Sequence, residues 1–249
     1  MRRRSLGLTI AAGVAVFLVI LVLYLPASWF SGALPAGVTC RELGGSIWQG
    51  ECLGLKHGEL ALGDATWNLG AGRALTGRLV GDVDLRGSAV NVRADVDSSF
   101  RGTGELRNLR GNLDLDPNLL PQLPRDKRGA VTVDLSRLAM ANGAPTAIAG
   151  TVELRNFQQT GARPLELGSY RATFDGQSPA DGPLVGKLRD LGGPFAVEGT
   201  VALGPGRAYL VQGLIQGRTA DAERLVRQIT LGAPPDASGR SPFSFEGSW

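Results

Sequence analysis

Beyond residue 26 the chain alternates apolar and polar positions with a period of two. Val131, Val133 and Leu135 fall on one side of an extended segment, and Thr132, Asp134 and Ser136 on the other. Val90, Val92, Ala94 and Val96 alternate in the same way with Asn91, Arg93, Asp95 and Asp97, and Ile148, Gly150, Val152 and Leu154 repeat the pattern. Phe195, Val197, Gly199, Val201 and Leu203 lead through a Gly-Pro-Gly turn at Gly204 to Gly206 into a further run from Ala208 to Ile215, which predicts a hairpin. Strict alternation with short glycine-rich connections implies antiparallel pairing with one apolar and one wet face, because parallel strands would need crossover helices. After the N-terminal segment, one helix stands out. Thr219 is its N-cap, Ala222, Leu225, Val226 and Ile229 share a face, and the end comes near Gly232. Residues 117–124 read as a connecting turn of helix or an irregular crossing, and residues 177–183 as a surface loop.

The first 25 residues follow a different pattern. Arg2, Arg3 and Arg4 precede 21 uncharged residues, 5–25, against roughly 20 needed to cross the hydrocarbon as a helix, and Pro26 stops the run. A cleaved signal peptide has a shorter apolar region and a small-x-small site. Here Trp29 and Phe30 follow instead and read as an interfacial anchor. The basic tail predicts a cytoplasmic N-terminus. The expected organisation is a cytoplasmic tail at 1–4, a transmembrane helix at 5–25 and a periplasmic antiparallel β domain at 26–249. The fold class is thus mainly β, a single transmembrane helix followed by a curved, folded-over antiparallel sheet with one or two short helices. Gly7, Ala11 and Ala15 recur every fourth residue, a pattern that lets another helix approach closely, although small residues are also simply common in such spans.

Charge and cysteine content narrow the role. Without the three N-terminal arginines the remaining 23 basic residues match the 23 acidic ones, which argues against a nucleic-acid surface. Cys40 and Cys52 lie beyond the span, in a space where a disulfide persists, so they form either a bridge or two buried thiols. Thirty-six glycines without a collagen period indicate many turns and strand ends.

Catalytic signatures are weak. His57, the single histidine, sits between Lys56 and Gly58 with no accompanying nucleophile motif. The three Gly-x-Gly pairs at Gly70, Gly102 and Gly204 are followed by Leu75, Arg107 and Tyr209, so none completes a dinucleotide fingerprint. Asp82, Asp84 and Gly87 resemble a calcium loop only until Arg86 and Arg93 fall at ligand positions. The aspartate pairs fit the wet face of strands better. No enzyme activity, cofactor or metal is expected.

Several features in order carry a family resemblance. The N-terminal anchor ends in Pro26-Ala27, and GGSIWQG follows at 44–50. Trp67-Asn68-Leu69 closes an alternating stretch and residues 75–81 follow; LGAPPDASGR at 231–240 then precedes the strand SPFSFEGS. This layout resembles the type II secretion system protein N family. The resemblance implies a bitopic inner-membrane component of the apparatus that exports folded proteins across the outer membrane, with other inner-membrane subunits and the outer-membrane secretin as partners. For Gly44, Trp48, Gly50, Trp67, Gly232, Asp236 and Gly239 it implies either turn and core packing or direct partner contact. The cysteine pair is not part of the family pattern. A second reading is a lipid-binding or lipid-transfer module of the lipopolysaccharide-transport or AsmA-like kind. In that reading Leu79, Val83, Leu85, Val131, Val133, Leu135, Val197 and Val201 line an open groove instead of a closed core.

Overall fold

The computed structural model describes residues 13, 14, 17, 20–34, 37–74, 76–99, 102–117, 123–161, 164–176, 182–204, 207–230 and 233–248. Residues 20–23 are helical and lead through the bridge at Pro26 into a 3-10 helix, Ala27–Ala33. Among the described residues no helix is long and apolar enough to cross a membrane; most of the expected span at 5–25 lies outside them.

The rest is one antiparallel sheet of 14 strands. Its first members are β1 (Val38–Thr39), β2 (Glu42–Gly45), β3 (Gln49–His57) and β4 (Leu60–Leu69), followed by a four-residue helix α1 (Ala71–Ala74). Then come β5 (Arg78–Arg86), β6 (Val90–Ser99), β7 (Thr103–Leu115), β8 (Lys127–Ala141) and β9 (Ala144–Gln159). The last strands are β10 (Leu165–Asp175), β11 (Leu184–Asp190), β12 (Phe195–Leu203) and β13 (Ala208–Gly217), then helix α2 (Ala220–Ile229) and β14 (Ser241–Ser248). Strands pair in sequence order from β3 onward, while β1 and β2 both pair with β3. Asn142 and Gly143, with φ of 52° and 77°, make the tight turn between β8 and β9, the two-residue connection whose twist suits a hairpin.

Directly paired residues project from the same face, so the register can be read as rows across the sheet. One row runs Cys52, Ala65, Leu85, Val92, Gly111, Val133, Val152, Ala172, Leu188, Gly199, Gly213 and Phe243, from β3 to β14, without a polar side chain. The adjacent row on the opposite face runs Glu51, Thr66, Asp84, Arg93, Arg110, Asp134, Thr151, Thr173, Lys187, Thr200, Gln212 and Ser244. A one-residue slip in any strand would exchange the faces, so the alternation itself specifies the register.

The wet face is laced with ion pairs. Arg78 meets Asp97 at 2.5 Å, Arg86 meets Asp84 at 2.9 Å, and Glu153 is held between Arg155 and Arg171 at 2.5 and 2.6 Å. These arginines are about half exposed or more, so solvent screens each pair and its contribution to stability is small.

The sheet stays open: β14 and the β1–β2 end are the two limits of the strand order and do not pair with each other. It curls, however, in the second half. Parts of β9 and β11, and of β10 and β12, come within 8 Å at Cα, closer than the roughly 9.6 Å of two flat strand spacings. The buried core is correspondingly small. One cluster gathers Leu135, Ile148, Phe174 and Leu184; the other packs Ala222 and Val226 of α2 on Phe195 and Val197. Thr219 caps α2 as the sequence predicts, accepting from the Ala222 N–H at 3.2 Å, and Thr230 ends it.

Candidate functional site

Two clusters of motif residues sit at opposite ends of the strand order. The first forms around the β2–β3 turn. Ser46 Oγ accepts from the N–H groups of Trp48 and Gln49 at 3.3 and 3.0 Å, which tightens the turn and turns the Trp48 side chain back toward the N-terminal helix. The Trp48 indole N–H donates to the Val22 carbonyl at 2.8 Å, and the Ile47 N–H donates to Leu25 O at 3.1 Å. The last carbonyls of a helix lack the usual donor four residues on, and although Val22 O also accepts from the Leu25 N–H at 3.4 Å, these two bonds fasten that end to the sheet. Trp67 on β4 adds a third tie, its indole N–H reaching Ile47 O at 3.1 Å. Gly50 lies under the Trp67 ring, where a Cβ would collide with the indole and with the Ser46 carbonyl. Gly44, opposite Glu51, completes the turn.

The cysteines close the same cluster. Cys40 and Cys52 form a disulfide with Cα atoms 5.6 Å apart, and Cys52 is buried. A loop of this length is worth about 3 kcal/mol when closed. The bridge clamps the segment between β1 and β2 to β3.

The second cluster is the turn before β14. The Asp236 carboxylate accepts from the N–H of Arg240 at 2.9 Å and from the N–H and hydroxyl of Ser238, each at 2.8 Å. The Arg240 N–H, helped by the Ser238 hydroxyl, holds its pKa below the usual aspartate value. Gly239 takes the positive φ, 78°, that the turn needs. Asp236 and Gly239 therefore shape a turn. Gly232, Gly7, Ala11 and Ala15 lie outside the described residues.

Between α2 and the curled strands lies an apolar trough of about 370 Å3, lined from Val152 and Leu154 on β9 across to Phe243 and Phe245 on β14. Its one polar lining group, the Tyr170 hydroxyl, is already committed to the Leu167 carbonyl, and burial pushes its pKa up to about 12. Of the apolar positions singled out in the sequence, Val197 and Val201 line this trough. Leu135 is in the core cluster beside it, while Leu79, Val83, Leu85, Val131 and Val133 are half-buried on the same face. Among the described residues no group of three or more His, Cys, Asp or Glu could hold a metal ion. His57 ends β3, exposed.

A family model described as "Type II secretion system (T2SS), protein N" matches residues 36–244. The chain belongs to the type II secretion system protein N family. It is also 25% identical over 260 residues to the type II secretion system protein N of Klebsiella pneumoniae, covering 99% of this chain and 96% of that protein. No solved structure matches the chain. Membership makes it a component of type II secretion. The matched span runs from just before β1 into β14, so Trp48, Gly50, Trp67, Asp236 and Gly239 and all of the trough lining but Phe245 fall within it.

The sequence named Trp48 and Trp67 but not the backbone carbonyls they serve, and Gly50 but not the ring above it. Val22, Ile47 and Ser46 carry no distinctive side-chain signal as partners. Phe243, Phe245 and Ile229 were readable as apolar positions, but that they share one trough with Val152 follows only from the curl.

Proposed function

We propose that this protein is a bitopic inner-membrane component of the type II secretion apparatus, with residues 5–25 crossing the membrane, the N-terminus in the cytoplasm and residues 26–249 in the periplasm. It aids assembly or coupling of the apparatus through contacts with other inner-membrane subunits and the outer-membrane secretin, without catalysis. The family match over 36–244 carries this reading. The uncharged run behind three arginines and the disulfide, which persists in oxidising compartments, support the topology. The joint gives the anchor a purpose, because hydrogen bonds from Trp48 and Ile47 fix the sheet's first end to the helix at 20–23 instead of leaving it on a loose tether. At the other end, β14 presents an outer edge available for strand addition by a partner.

Deleting the gene should reduce export of folded periplasmic cargo while leaving other envelope functions intact; normal export would reject the role. Alkaline phosphatase fused after Trp249 should be active. An inactive but expressed fusion would reject the topology.

A further inference from the structure

The two limits of the strand order are finished differently. At the first, β1 and β2 are only two and four residues long, and the bridge from Cys40, which lies between them, to Cys52 on β3 ties that margin down. β14 is eight residues long, pairs with β13 without a register shift and carries no lysine. Short strands, bulges and lysines are among the means by which proteins blunt a free edge, and β14 uses none of these.

The backbone groups that β14 leaves free follow from the ladder. The Gly204 N–H donates to Ala208 O at 2.8 Å and the Arg218 N–H to Pro194 O at 2.7 Å, so even-numbered residues along β13 bond toward β12. Neither neighbour shifts register against β13, so its odd-numbered residues bond to β14, at Ser241, Phe243, Phe245 and Gly247. Pro242, Ser244, Glu246 and Ser248 therefore turn their backbone outward. Pro242 has no N–H to offer, and an outward position on an edge strand is where proline is tolerated. Ser244, Glu246 and Ser248 each present a donor and an acceptor.

We infer that β14 docks an extended segment of another protein, added antiparallel along Ser244 to Ser248, with an apolar side chain opposite Phe245 and a lysine or arginine opposite Glu246. The inference rests on the secretion-component reading above and names the kind of partner its free edge takes. Only an extended backbone repeats donors and acceptors at the two-residue spacing of this edge, and antiparallel pairing continues the sheet's own pattern. The side chains set the partner's chemistry. Phe245, on the last strand, is 50% exposed. Glu246 is the single charge on β14, exposed and in no ion pair among the described residues. Opposite charges directly across a strand pair attract, so a basic residue belongs there. A second copy of this chain does not supply it. Its β14 brings another Glu246, and Arg240, the cation just before the strand, already meets Asp236 at 3.3 Å and Glu198 at 3.7 Å.

The test occupies the edge from within the full chain in its own membrane. A glycine-serine linker after Trp249 carries a strand of alternating valine and threonine with one lysine set to face Glu246, held near the edge by its tether. A control extension has proline at alternate positions and cannot join the ladder. With Ser244→Cys and a cysteine facing it in the extension, a second intrachain disulfide should form with the first extension and not with the control. The first extension should cut export of folded cargo at least tenfold, and the control should leave it unchanged. Glu246→Lys, an exposed substitution, should lower export at least threefold, and Glu246→Asp should not. All are read in protein whose Cys40–Cys52 bridge has formed. Failure of the second disulfide to form, equal export with both extensions, or unchanged export with Glu246→Lys overturns the proposal. So does a solubilised dimer that the first extension splits into monomers, which would assign the edge to a second copy. If deleting the gene abolishes export while these variants do not, the docked strand fails and the secretion role stands.

Discussion

The two ends of the sheet are held by different means. The first four strands are tied covalently by Cys40–Cys52 and by three hydrogen bonds that converge on the turn at residues 46–49 and the end of the N-terminal helix. The last six strands have no covalent tie; hydrogen bonds of Asp190, Arg218 and Asp236 hold their turns, and apolar contact around α2 and the curl of β9–β12 hold their face. Specific directional bonds fix one geometry, whereas a half-covered apolar surface leaves room for something else to complete it. The first end is locked covalently, and the second is held by noncovalent contacts alone.

Removing the covalent tie should give the largest effect. Replacing Cys40 and Cys52 together by alanine should cost about 3 kcal/mol, read as a lower urea midpoint for the full chain in detergent. New protease cuts should appear in β1 and β2 first. Cuts appearing first in β12–β14 would abolish the distinction between the ends.

At the other end, Gly199→Val should cost about 2 kcal/mol, because a Cβ there would run into the Gln212 carbonyl and the Gly213 Cα of the neighbouring strand. The two lesions are many strands apart, so their effects should add to within about 0.5 kcal/mol. A clearly larger combined loss, in the same unfolding measurement, would show that the ends support each other. A smaller effect tests α2 alone. Thr219→Ala removes the cap that accepts from the Ala222 N–H and should cost about 1 kcal/mol; because α2 flanks the trough, exposure of the Phe195 region to hydrogen exchange should rise with it.

Much of this division was legible in the sequence because alternation is a local signal. Thr132 and Val133 reveal their faces without knowledge of any partner strand, and Thr219 with Ala222 and Val226 reveals a capped amphipathic helix. The motif GGSIWQG marked the joint as a turn. It did not reveal that the Trp48 indole serves Val22 O, a contact 26 residues away made through a backbone atom that every residue possesses. The curl was hidden for a related reason. Where a sheet curls depends on twist accumulated over many strands, which no single alternating stretch records.

The wet face offers the finest test, because its ion pairs run along the middle strands from β5 to β9 and should respond to acid together. Hydrogen bonds from Arg155, and then Arg171, hold the Glu153 carboxyl below its ordinary value; Arg86 does the same for Asp84 and Arg107 for Glu105. A carboxyl whose folded pKa is depressed stabilises fully above its unfolded value, roughly 4, and loses that contribution as pH falls through the folded value. Stability should therefore be level from neutral pH to about 5 and decline below about 4.5. Glu153 is the least exposed of the three, so Glu153→Gln should remove the largest single share of the acid-sensitive part, at most about 1 kcal/mol at neutral pH. Urea midpoints of wild type and variant should converge as pH drops toward 3. If the gap between them instead widened in acid, the pairs would not be what makes this face pH-sensitive.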